Sequence, residues 1–125
     1  MRLQKLRLNS FRPFSGEPEA SLELDHSAVL LCGPNATGKS SVFHALELLL
    51  TGRIRQFADF DSLGQVLVNV EAENDRAEIE LSWESDGTSD ARTVDIMRSE
   101  KAPSRLLKNR FGWLFFFSFG LIWGC

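Results

Sequence analysis

The sequence predicts an α/β fold: a mixed sheet around one central strand, a helix on one face and an antiparallel ribbon beside it. Three observations predict it. "AVLLC" at 28–32 is continuously apolar, as in a strand covered on both faces. A glycine-rich turn follows, after which Val42, Ala45, Leu46 and Leu49 recur at helical spacing. Further on, "RAEIELSW" and "RTVDIMR" alternate at the period of half-buried strands on either side of Asp86-Gly87.

Taken in order, Leu6 and Leu8 alternate with Lys5, Arg7 and Asn9 as a first strand, which Pro13, Gly16 and Pro18 of "FRPFSGEP" break. "ASLELD" resumes the alternation with Leu22 and Leu24. The helix has Phe43 and Leu50 on a second apolar side, which leaves His44 and Glu47 as its polar positions and Gly52 as its C-terminal cap. "GQVLVNVEAE" reads as another strand. In "RAEIELSW", Ala77, Ile79, Leu81 and Trp83 face one way and Glu78, Glu80 and Ser82 the other, with Val94 and Ile96 in phase on the next strand. "PSRLLKNR" begins a short helix after Pro103. The sequence contains no internal repeat.

A chain of 125 residues is one domain's worth and, folded, could bury roughly two thirds of its unfolded surface. At 43% hydrophobic and 25% charged residues it is of globular type, and its net charge of −3 predicts no broad attraction to nucleic acid or anionic lipid. Residues 1–16 carry Arg2, Lys5, Arg7 and Arg12 without an acid, whereas 71–100 are acidic; both read as solvated strand faces before they read as a DNA stripe. Cys32 and Cys125 make no disulfide framework and no metal-ligand spacing, and Cys32 reads as a buried small residue. The N-terminus lacks an apolar signal-peptide core, which favours the cytoplasm.

All 14 Lys and Arg and all 17 Asp and Glu lie within residues 1–110. The chain therefore divides into a partial domain at 1–110 and an apolar aromatic tail at 111–125. Three readings of the tail stay open: a non-native end, a core segment whose partners lie elsewhere, and a membrane anchor. Its 15 residues fall short of the roughly 20 that span a bilayer as a helix.

Gly33-Pro34-Asn35-Ala36-Thr37-Gly38-Lys39-Ser40 satisfies the phosphate-loop pattern G-x-x-x-x-G-K-[ST], between a strand and a helix as that pattern requires. Gly33 and Gly38 let backbone amides approach phosphate oxygens, and the helix start adds unpaired N–H groups and a positive dipole end. Lys39 supplies a movable charge for the β- and γ-phosphates, and Ser40 a hydroxyl for Mg²⁺. Ser41 reads equally as a packing residue or a phosphate contact.

An initial strand ending in "NSFRPF", the strand "ASLELD", the loop "LLCGPNATGKSSVFHALELLLTG" and the acidic strand pair together resemble the N-terminal segment of the SMC, RecF and SbcC ATPases. The resemblance covers Met1 to about Arg98; Ala36 departs from the glycine common there. It implies the first lobe of an ABC-type head that binds ATP and Mg²⁺ through Gly33, Pro34, Asn35, Ala36, Thr37, Gly38, Lys39, Ser40 and Ser41. It also implies work in DNA double-strand break repair or recombination. Arg12 resembles the residue that approaches the nucleotide from the first strand, and equally a surface arginine in a turn. Arg53 and Arg55 fall where some relatives place a basic residue near nucleotide or DNA, though charges beyond a helix end are usually capping or solvated. Implied partners are DNA, the other half of the head or a second head subunit, and a nuclease.

No apolar run ending in Asp-Glu and no "LSGG"-like stretch occurs, so no catalytic residue is identifiable and hydrolysis is expected to need a missing C-terminal half. The alternatives are another P-loop enzyme, a kinase or GTPase, disfavoured by the two strands before the loop strand and the lack of an "NKxD" stretch, and a non-catalytic membrane-associated fragment.

Overall fold

The computed structural model describes residues 1–34, 37–59 and 62–99 and the backbone of 120–123. Six strands are present there: β1 (Arg2–Asn9), β2 (Ala20–Glu23), β3 (Ala28–Leu31), β4 (Arg76–Ser85), β5 (Thr88–Met97) and β6 (Gly120–Trp123). The helices are α1 (Lys39–Thr51) and α2 (Leu63–Leu67), with a 3-10 turn at Arg55–Phe57 between them.

The alternating runs form one antiparallel sheet in the order β2-β1-β4-β5. Leu6 stands opposite Leu81 and Leu8 opposite Ile79, so the apolar phases of β1 and β4 fall on one face. A register irregularity between Leu3 and Lys5 keeps Leu3 as well as Leu6 buried. Asp86-Gly87 joins β4 to β5 as a two-residue turn closed by Ser85 opposite Thr88. α1 packs on β4 and β5, with Ala45, Leu48 and Leu49 almost inaccessible. Gly52 caps it as expected, its N–H donating to Leu48 O at 2.9 Å. Arg92 of β5 also reaches this helix end, donating from Nη1 to Leu49 O at 2.9 Å, and its partial burial lowers its pKa from the ordinary value.

The opposite face of the sheet neutralises itself. Arg7 of β1 donates from Nε and Nη2 to the carboxylate of Glu19 at 2.6 and 2.9 Å and from Nη1 to Glu80 at 3.3 Å. Lys5 pairs with Glu23 at 3.0 Å, and Arg76 with Asp95 at 2.5 Å. The basic opening and the acidic stretch are thus neighbours in one sheet, as the solvated-face reading requires.

Four details go beyond expectation or differ from it. "GQVLVNVEAE" is not a strand: Leu63 and Leu67, spaced i, i+4, are buried on the short helix α2, and only Val68 makes a bridge, to Phe11, while Val70 is 82% exposed. Gly64 permits this helix, since an added Cβ would sit 1.9 Å from Met97 O. His44, one of the two polar positions of α1, is itself buried. β3 is not covered on both faces: it stands apart from the antiparallel sheet, its one strand partner among the described residues is β6, parallel to it with Ala28 opposite Gly120, and Leu30 is 53% exposed. Cys32 is exposed, not buried.

The short helix expected after Pro103, and the tail apart from the β6 backbone, lie outside the described residues. Among the described residues no helix is long and apolar enough to cross a membrane.

Candidate phosphate-binding site

β3 ends at Leu31 and α1 starts at Lys39, so the glycine-rich turn leads from a strand end into a helix start. A helix start leaves its first amides without intrahelical partners. Gly38 is the N-cap, with φ 97° and ψ 5°; having no side chain it makes no cap of its own, and no acid lies in the first turn. An uncapped, acid-free helix start is electrostatically matched to an anion. Gly38 also packs against the "FRPF" turn, where an added Cβ would lie 2.6 Å from Phe14 Cζ and 3.1 Å from Pro13 Cγ.

Lys39 Nζ donates to the carbonyl oxygens of Gly33 and Pro34, the latter at 2.9 Å, which holds the ammonium over the turn. Thr37 Oγ1 donates to Pro34 O at 2.7 Å. Ser40 is exposed on the first helical turn, open to a ligand. Asn35 and Ala36 lie outside the described residues. Beside the loop a cleft of about 380 Å³ is walled mainly by apolar groups, among them Phe14, Leu22, Leu31 and Val42. A larger hollow of about 580 Å³ lies elsewhere, among Glu17, Glu71, Glu73 and Glu78, and its negative charge disfavours phosphate.

Arg12 reaches the first turn of α1. Its Nε donates to Ser41 Oγ at 3.1 Å, and its guanidinium lies 5.3 Å from the centroid of the Phe57 ring. Its backbone has φ 53° and is held at both ends: its N–H donates to Leu67 O at 2.7 Å and its carbonyl accepts from Asn69 Nδ2 at 2.6 Å. Ser41, by the same contact, is a buried helix residue bonded to Arg12. Arg53 and Arg55 follow the far end of α1, about 20 Å away along its 13 residues. Arg55 lies 3.8 Å from Glu47 there.

Sequence reasoning missed Phe57, Asn69 and the partners of His44. His44 Nε2 is 2.8 Å from Gln56 Oε1, and its ring meets Phe57 edge-on at 4.9 Å. The only local signal was the aromatic at Phe57 just past the helix; Asn69 carried none, because its role depends on a contact 57 residues away.

The loop fits a nucleotide polyphosphate through its helix start, glycines and Lys39. Among the described residues no group of three or more His, Cys, Asp or Glu could hold a metal ion, and the exposed Ser40 hydroxyl is an oxygen donor beside the loop.

Over residues 5–113 the chain matches the family described as AAA domain. It is 33% identical over 94 residues to the DNA replication and repair protein RecF of Rippkaea orientalis, covering 70% of this chain and 24% of that protein. RecF of Acaryochloris marina is 31% identical over 103 residues, covering 77% and 26%. RecF of Gloeobacter violaceus is 35% identical over 88 residues, covering 65% and 23%. The chain thus spans about a quarter of the length of these curated relatives. A solved structure from a study of ATP-driven dimerization and DNA-stimulated activation of SMC ATPases superposes with a TM-score of 0.60 over 76% of this chain and 61% of that one. At 16% identity, that likeness is one of fold.

Proposed function

The chain belongs to the AAA domain family, as a P-loop segment of the RecF and SMC type, and from that premise we propose that it binds Mg-ATP as the first part of an ATPase head in DNA repair and recombination. The observation that carries the reading is the uncapped start of α1, closed on one side by the Phe14 turn and approached by Lys39 from the helix and Arg12 from the strand end.

In this reading Gly33–Ser41 wrap the phosphates with backbone amides, and Lys39 exchanges its bonds to the Gly33 and Pro34 carbonyls for β- and γ-phosphate oxygens. Ser40 turns its exposed hydroxyl to Mg²⁺, which supplies charge neutralisation between the phosphates. Arg12 adds a second cation from outside the loop. Hydrolysis draws its water-activating carboxylate from residues beyond this chain, in the other half of the head or a second head subunit. DNA and a nuclease are the further partners of such an assembly, which would work in the cytoplasm.

The test is Mg²⁺-dependent binding of a fluorescent ATP analogue to the 125-residue chain. Lys39→Ala should abolish it; equal binding by that variant would remove the loop from the account.

A further inference from the structure

Contacts from several separate elements converge on Arg12. Its φ of 53° lies in the left-handed region, which disfavours residues with side chains. Three hydrogen bonds with the end of α2 and the residues just after it hold this turn. Asn69 N–H donates to Ser10 O at 2.7 Å, Arg12 N–H donates to Leu67 O at 2.7 Å, and Asn69 Nδ2 donates to Arg12 O at 2.6 Å. Asn69 is itself immobilised. It is 8% exposed, its Oδ1 accepts from Glu71 N–H at 2.8 Å, and its carbonyl accepts from Arg98 Nη2 at 2.9 Å.

The side chain is fixed by a different element. The ring of Phe57, buried on the 3-10 turn, lies under the guanidinium, and His44 meets that ring edge-on from α1 while bonded to Gln56. Among the described residues only the Nε donor of Arg12 is used, on Ser41, two residues past Lys39. The fork formed by Nη1 and Nη2 takes no partner there.

We propose that Asn69 and Phe57 are positioning residues for Arg12. Asn69 holds its backbone and Phe57 its guanidinium, so that the fork is aimed at an oxyanion carried by the Gly33–Ser41 loop. The proposal rests on the phosphate-binding reading of that loop. A guanidinium presents its donors in one plane, the geometry suited to bidentate capture of phosphate, and a ring 5.3 Å from it limits the rotational freedom it would otherwise give up on binding.

The experiment is a set of double-mutant cycles on the 125-residue chain, read as the Kd for a fluorescent ATP analogue with Mg²⁺. Phe57→Leu and Asn69→Ala should each weaken binding about threefold to tenfold, and neither should weaken it further once Arg12 is alanine. Losses that multiply in the double variants would overturn the proposal. Because both sites are buried, Phe57→Tyr and Asn69→Asp serve as gentler variants. The first keeps the ring and should recover most of the affinity lost by Phe57→Leu. The second keeps the acceptor for Glu71 and loses the donor to Arg12, so it should bind as weakly as Asn69→Ala; recovery of affinity would count against the backbone clamp.

A second readout needs no nucleotide. The Nε–H proton of Arg12, lying near an aromatic ring, should shift in the NMR spectrum on Phe57→Leu and stay in place on Lys39→Ala. An unmoved resonance in Phe57→Leu overturns the proposal by itself. Failure of the loop reading looks different: Lys39→Ala then binds like the parent chain.

Discussion

Replacing Gly38 by alanine probes the seam between the phosphate loop and the turn after β1 with a single methyl group. The added Cβ would lie 2.6 Å from Phe14 Cζ, 3.0 Å from Phe14 Cε2 and 3.1 Å from Pro13 Cγ, all inside contact distance. The φ of 97° adds a penalty that no rearrangement of neighbours relieves. A left-handed residue with a side chain is disfavoured by about 1–2 kcal/mol, and forcing a methyl into a packed contact adds about 1–3 kcal/mol. The half-buried Phe14 ring meets the methyl with its far end, so a swing of the ring lowers the second contribution and leaves the first. The expected loss is about 2–4 kcal/mol, a large share of the roughly 5–15 kcal/mol of a typical domain. Urea unfolding followed by far-ultraviolet circular dichroism should show a lower midpoint at unchanged m. Gly38→Ala combined with Phe14→Ala, compared with Phe14→Ala alone, should cost only the backbone share of about 1–2 kcal/mol. A loss below about 0.5 kcal/mol in the single variant, or none in the Phe14→Ala background, would refute the reasoning.

Two further perturbations test the frame that holds the loop. Arg92→Ala removes a cation and a hydrogen bond from the C-terminal end of α1 and should destabilise the chain by about 0.5–2 kcal/mol, with Arg92→Lys recovering part of it; an unchanged melt would mean that the contact with Leu49 contributes nothing. The hydrogen bonds from Arg7, and secondarily its charge, lower the pKa of Glu19 below the ordinary 4.5. A depressed carboxylate stabilises the fold above its unfolded pKa and loses that contribution as pH falls through the folded value. Thermal melts should therefore show the gap between the parent chain and Glu19→Gln present above pH 4.5 and closing at more acid pH; a gap that widens in acid would contradict the sign.

What was legible in the sequence was what local pattern determines. α1 showed its buried sides and its Gly52 cap, and the β4-β5 hairpin showed its phase and its Asp86-Gly87 turn, because each rests on neighbours a few residues apart. α2 was misread because the alternation of Val66, Val68 and Val70 outweighed the single i, i+4 pair of Leu63 and Leu67, and a helix of five residues offers no second turn to correct the period. The partner of His44 was not legible because Gln56, which meets its Nε2, lies beyond the helix end. In the site, the loop was read from its own residues. The clamp on Arg12 joins residues 12, 41, 57 and 69, and no single window contains them.

The self-neutralised face of the sheet bears on how this chain could meet a polyanion. Cations that bind DNA release condensed counterions, and that release supplies most of the sequence-independent affinity. Arg7 and Arg76 have already traded their ion atmosphere for Glu80 and Asp95 of the same sheet and Glu19 just before β2. A nucleic acid laid on this face would set few ions free and would have to displace carboxylates that cannot diffuse away. The strand that looks basic in the linear sequence is therefore, thermodynamically, a surface with little to offer a phosphate backbone.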